Sequence, residues 1–160
     1  HRVDRRQRQM CIRDRINVYI DNLIIIHTMS DKIKIEMEFP IQASPQLLYQ
    51  YLSTPSGLSE WFAENVNSRG ELFTFIWDGS EEKAKLLSKK SGERVKFKWL
   101  NEDEDDNSVY FEMRIQVDEI TKDVSIMVTD FTEDDKDEIE EAKMLWDNQI
   151  SDLKHVLGSA

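Results

Sequence analysis

From Lys32 to Phe39 apolar and polar residues alternate without a break. Ile33, Ile35, Met37 and Phe39 fall on one side, Lys34, Glu36 and Glu38 on the other. A period of two places each set on its own face of a strand, so the pattern predicts a half-buried strand ended by Pro40. Ser44-Pro45 and Thr54-Pro55 follow. Each couples a capping side chain to a proline at the first helical position, and predicts a short helix. Leu47, Leu48, Tyr51 and Leu52 form the apolar side of the first helix; Leu58, Trp61 and Phe62 have helical spacing in the second.

Period two then returns. Phe73, Phe75 and Trp77 alternate and close at the turn pair Asp78-Gly79. A weaker strand leads to a turn at Ser91-Gly92. Val95, Phe97 and Trp99 alternate with Arg94, Lys96 and Lys98. The acidic run Asn101 to Asn107 reads as a hairpin tip. Beyond it Val109, Phe111, Met113, Ile115 and Val117 point inward, and Tyr110, Glu112, Arg114 and Gln116 outward. A last strand near Asp123 to Phe131 has two partly apolar faces, Val124, Ile126 and Val128 against Met127 and Phe131, and its orientation stays open.

From Asp134 the period becomes 3.6. Ile139, Ala142, Trp146, Ile150, Leu153 and Leu157 make one stripe, acidic residues crowd the first turns, and Gly158 is the stop. One long amphipathic helix must bury its stripe, and the concave aromatic face of a twisted sheet is its partner. Short links between successive strands mean an antiparallel sheet. The fold class is therefore α+β, a curved antiparallel sheet wrapped around a long C-terminal helix, with two short helices after the first strand.

Charge divides the chain. Residues 1–28 carry six Arg and no Lys, whereas residues 29–160 carry twelve Lys and three Arg against twenty-nine Asp plus Glu, a net −14. The segment Gln9 to Arg15, QMCIRDR, resembles the translation of a transposase sequencing adapter. That resemblance implies a non-native or disordered leader over 1–28 and a domain over 29–160 starting at Met29. The run Leu23 to Ile26 is shorter than a signal core or a membrane span. Residues 29–160 hold no Cys and a single His, His155, which excludes a disulfide framework and a cysteine zinc site. No cofactor motif stands out, and the cytoplasm is the expected location. The negative field opposes nucleic acid and anionic membranes.

The segments ASPQLLYQYLSTPSGLSEWFAENV and EEAKMLWDNQISDLKHVLG resemble the START-like, helix-grip superfamily, in the branch related to activators of a heat-shock chaperone ATPase. Leu58 to Ala63 carries the Leu-x-x-Trp-Phe pattern; Trp146 and Leu153-Lys154 carry the C-terminal helix pattern. The resemblance implies a helix-grip fold with a cavity between sheet and helix, and no family-wide catalytic residue. Members bind sterols, lipids, polyketides or hormones there, some modify the ligand in the manner of a weak cyclase or hydrolase, and others bind a chaperone.

The cavity candidates are Trp61, Phe62, Phe73, Phe75, Trp77, Phe97, Trp99, Phe111, Met113, Trp146 and Ile150. They either line an apolar ligand site or simply fill the core. His155, on the flank of the helix stripe, complements the helix dipole rather than acting as a base. Glu112 and Arg114 form a cross-strand ion pair on the outer face. The run at 101–107 lacks the glycine and spacing of a calcium loop. The expected function is non-enzymatic binding of a small hydrophobic or amphipathic ligand. The alternative is a protein-interaction module using an acidic surface, with Asp103 to Asp106 or Glu133 to Glu141 facing a basic partner.

Overall fold

The computed structural model describes residues 17–20, 23–27, 32–100 and 109–158. The acidic run at 101–107, the adapter-like segment and Met29 lie outside the described residues. Strands β1 (Asn17–Ile20), β2 (Leu23–His27) and β3 (Lys32–Ile41) precede helices α1 (Pro45–Ser53) and α2 (Pro55–Leu58). Strands β4 (Asn65–Arg69), β5 (Leu72–Trp77), β6 (Ser80–Lys90), β7 (Arg94–Trp99), β8 (Phe111–Val117) and β9 (Val124–Glu133) follow, and helix α3 (Lys136–Val156) is the last described element. Among the described residues the nine strands form one sheet in the order β1-β2-β3-β9-β8-β7-β6-β5-β4. Every pairing is antiparallel.

The alternation read from the sequence decides which face is buried. Ile33, Ile35, Met37, Val95, Phe97, Phe111 and Met113 are buried on the inward face. Helix α3 packs across that face with Ala142, Trp146, Ile150 and Leu153. Its first turn is capped by Asp135, whose carboxylate accepts from the amide of Asp137, and Gly158 follows the helix at φ 71°. The Asp78-Gly79 turn is a two-residue hairpin loop, with Trp77 opposite Ser80 and both turn residues at positive φ, 46° and 78°.

Four details differ from the expectation. Strand β3 runs through Pro40 to Ile41. Strand β2 stops opposite Met37, so β3 is an edge near Pro40, where proline is tolerated. Strands β1 and β2 fall within the stretch expected as leader; Leu23 and Ile25 are buried opposite Met37 and Ile35. Helix α2 is a single turn, so Trp61 and Phe62 sit on the turns after it. The Glu112–Arg114 ion pair runs along β8, with Nη2 donating to Oε1 at 2.9 Å. The register sets Arg94 opposite Arg114, and that neighbour offers no carboxylate.

Strand β9 takes its orientation from β3. Ile35 faces Asp130, Met37 faces Val128 and Phe39 faces Ile126. The valine and isoleucine set therefore points inward, and it brings Asp130 and Thr132 inward with it. Met127 and Phe131 point outward.

Candidate functional site

The site is built around the corner after α1. Thr54 accepts from the amide of Gly57 at 2.9 Å and caps α2. A Cβ on Gly57 would stand 2.6 Å from the Cα of Tyr51 and would run into the carbonyl of Gln50. Only glycine permits so close a crossing of α1 and α2. The crossing aims the following turns, residues 59–63, at the sheet. The indole of Trp61 then donates to the Tyr51 carbonyl at 2.8 Å and fixes its ring against α1.

Phe62 is the hub. Its ring lies 5.2 Å from those of Trp61 and Phe75, 5.8 Å from Trp77 and Phe111, and 5.9 Å from Trp146. Its carbonyl accepts two side-chain donors, Trp77 Nε1 at 2.9 Å and Gln149 Nε2 at 3.1 Å. Sheet and terminal helix are thus both tied to the same backbone atom. Gln149 is buried, and the stripe read from the sequence missed it because that stripe counts apolar positions only.

Beside Phe62 an open cleft of about 570 Å³ separates the 59–64 turns from helix α3. Trp61, Phe62, Ala63 and Trp77 form one wall, and Leu145, Gln149 and Val156 the other; Glu60, Asp152 and His155 supply charged or polar groups. The three sequence candidates brought together here are Trp61, Phe62 and Trp77. His155 is exposed, as its position on the helix flank suggests, and it also lines this cleft.

The other eight candidates lie in the packed interior behind Phe62. Phe73 and Phe97 stand 5.1 Å apart, Trp99 and Phe111 5.1 Å, Phe97 and Phe111 5.2 Å, and Phe111 and Trp146 6.1 Å. Phe75, Met113 and Ile150 are buried in the same core. Such spacings are those of rings in mutual contact. In this interior the Trp146 indole donates to Asp130 Oδ2 at 2.9 Å.

A second cleft, about 790 Å³, opens at the end of β3, β8 and β9. Its lining is polar, with Glu38, Gln42, Gln116, Asp118, Asp123 and Lys154. None of the sequence candidates lines it. Asp118 accepts from the amides of Ile120 at 2.8 Å and Thr121 at 2.9 Å. The Thr121 amide first, then that of Ile120, holds its carboxyl below the usual value. The larger cleft thus lies away from the aromatic site. The smaller one sets aromatic and aliphatic walls beside polar groups, as small-molecule sites do, and is the better candidate.

Among the described residues no helix is long and apolar enough to cross a membrane, and no group of three or more His, Cys, Asp or Glu side chains could hold a metal ion.

Comparison with known proteins bears on this architecture. A family model for the START-like superfamily domain matches residues 29–159. The solution structure of a Bacteroides fragilis protein is similar, with 31% identity and a TM-score of 0.55 over 79% of this chain and 92% of that one. The Aha1 dimer from Colwellia psychrerythraea shares the fold at 19% identity and a TM-score of 0.65, covering 78% of this chain and 95% of that one. A Cytophaga hutchinsonii protein does so at 16% identity and 0.63, covering 81% and 97%. No curated protein matches.

Proposed function

The chain belongs to the START-like superfamily, and on that footing we propose that it binds a small hydrophobic or amphipathic molecule without transforming it. The ligand would enter the cleft between the 59–64 turns and helix α3. The observation that carries this reading is the cleft wall itself: Trp61, Phe62 and Trp77 face Leu145 and Val156 across about 570 Å³, with Asp152 and His155 at hand for a polar head. That volume falls within the roughly 300–1,000 Å³ range of small-molecule sites. Burial of apolar surface drives binding, and Gln149 and the tryptophans hold the walls in place. The family is one whose domains often bind ligands, which supports the same reading.

Titration with a fluorescent apolar probe or a medium-chain fatty acid tests it, read by tryptophan emission and by native mass spectrometry. We expect one saturable site, lost in Leu145→Trp, which plugs the cleft from the helix side without altering Phe62. Undiminished binding in Leu145→Trp would remove the cleft from consideration.

A second reading, a protein-interaction module, draws support from Met144. It is 64% exposed on helix α3 with Glu140, Glu141 and Asn148 at neighbouring helical positions, an apolar spot in an acidic surround that suits a basic partner. Capture that vanishes in high salt and in Met144→Glu would favour it.

A further inference from the structure

Residues 29–160 carry a net −14, yet the outward face of β4–β8 is basic. All three arginines of that stretch, Arg69, Arg94 and Arg114, point outward there, as do Lys83, Lys85 and Lys96. Their orientation follows from register. Arg69 and Lys85 each stand opposite Leu72, Lys83 opposite Thr74, and Lys96 opposite Glu112, while Phe73, Phe75, Val95 and Phe97 occupy the inward face.

Two cross-strand pairings set cation against cation. Lys85 lies directly opposite Lys98, and Arg94 directly opposite Arg114. Lys98 is buried and Arg114 is held by Glu112, which leaves Lys85 and Arg94 as the exposed or half-exposed member of each pair. Among the described residues none of Arg69, Lys83, Lys85 and Arg94 makes an ion pair. Four cations without a carboxylate partner thus stand on one sheet face of a domain rich in acid. That is the pattern of a surface kept for an anion.

We propose that the outward face of β4–β8 is a docking surface for an extended acidic segment of a partner protein. Five strands about 4.8 Å apart span roughly 20 Å. Six extended residues at about 3.3 Å each cover that width. The Debye length is about 8–10 Å near physiological salt. A short acidic segment therefore stays within the basic field. A long polyanion or an anionic bilayer reaches past it to the acidic remainder of the molecule and is repelled. The proposal is independent of the aromatic cleft, which lies on the opposite side of the sheet.

The test uses the full chain and a fluorescein-labelled hexaglutamate peptide at low salt, read by anisotropy. Saturable binding that weakens as salt rises is expected. The double variant K83E/K85E should lower affinity at least tenfold. Its Tm should not fall, because both side chains are exposed and make no ion pair. Lys136→Gln, on helix α3, should leave affinity unchanged. A K83E/K85E protein that binds hexaglutamate as well as the parent would overturn the proposal. So would tighter binding, through the same lysines, of a single-stranded oligonucleotide or of phosphatidylserine vesicles. Loss of binding with an unchanged or higher Tm separates a docking role from a structural one.

Discussion

Trp146 on helix α3 donates its indole proton to Oδ2 of Asp130 on strand β9, across 2.9 Å, in a site closed to solvent. Oδ1 of the same carboxylate accepts from the amide of Phe131 at 2.8 Å. The contact locks helix to sheet through a polar bond inside an aromatic core. Asp130→Ala removes the acceptor and leaves the indole N–H buried. The expected cost is about 1–3 kcal/mol, against a smaller loss in Asp130→Asn, which keeps a carbonyl acceptor. Urea denaturation of the two variants measures the difference, and equal losses would show that the hydrogen bond is not the source.

Phe62→Ala should be among the most damaging single changes. It empties the centre of a cluster in which five rings touch the Phe62 ring. Large-to-small replacement of a buried phenylalanine costs about 3–5 kcal/mol. Phe62→Leu should cost less. Thermal unfolding followed by near-UV circular dichroism reads both, and a loss under about 1 kcal/mol for Phe62→Ala would contradict the hub role.

Gln149→Leu cuts one of two bonds to the Phe62 carbonyl and leaves the bond from Trp77. The expected destabilisation is about 1 kcal/mol, the ordinary net worth of one such bond. Amide exchange should quicken at residues 59–63 before it does in the strands. Uniform acceleration throughout the sheet would show that Gln149 supports the whole fold instead of the cleft wall.

Asp118 gives a pH-dependent turn. Its carboxyl is held below 3.8 by the Thr121 and Ile120 amides. A depressed folded-state value means that the contribution is present above the unfolded value and is lost as pH falls through the folded one. Amide shifts of Ile120 and Thr121 should therefore move together below about pH 4, where an unperturbed aspartate titrates. Asp118→Ala should abolish that transition, and its persistence in the variant would assign it to another group.

A chain beginning at Met29 should still fold, as the family match from residue 29 leads one to expect. It loses the cover of Leu23 and Ile25 over β3, so we expect a lower Tm with cooperative unfolding retained. A non-cooperative melt would show that β1 and β2 are required parts of the domain.

Strands with a clean alternation were legible in the sequence: β3, β5, β7 and β8 bury the predicted side, except that Val117 at the end of β8 is exposed and Glu112 on its outer side is buried. Strand β4, Asn-Val-Asn-Ser-Arg, was not, because only Val66 is apolar and an edge strand needs little more. Strand β9 could not be oriented because Asp130 faces the core and Phe131 faces out, the reverse of what hydrophobicity suggests. Knowledge of the β3 register resolves it, and that is a contact across nearly the whole domain. On helix α3, Glu138 and Gln149 are buried beside the apolar stripe, beyond the reach of a rule that counts apolar residues. Trp61, Phe62 and Trp77 were named as candidates, but their separation from the other eight depends on where α2 ends. Gly57 sets that through a backbone approach no periodicity records.

The pairing of β3 with β9 also governs how the molecule comes into being. Lys32 meets Glu133, at a sequence separation of 101 residues. On the ribosome, β3 has no β9 to join until every strand between them has emerged. Nascent protein therefore passes through a stage with an apolar strand margin uncovered, and closure of that long loop should be slow. The alternating lysines and glutamates of β3 line this margin and would discourage premature partners while it waits.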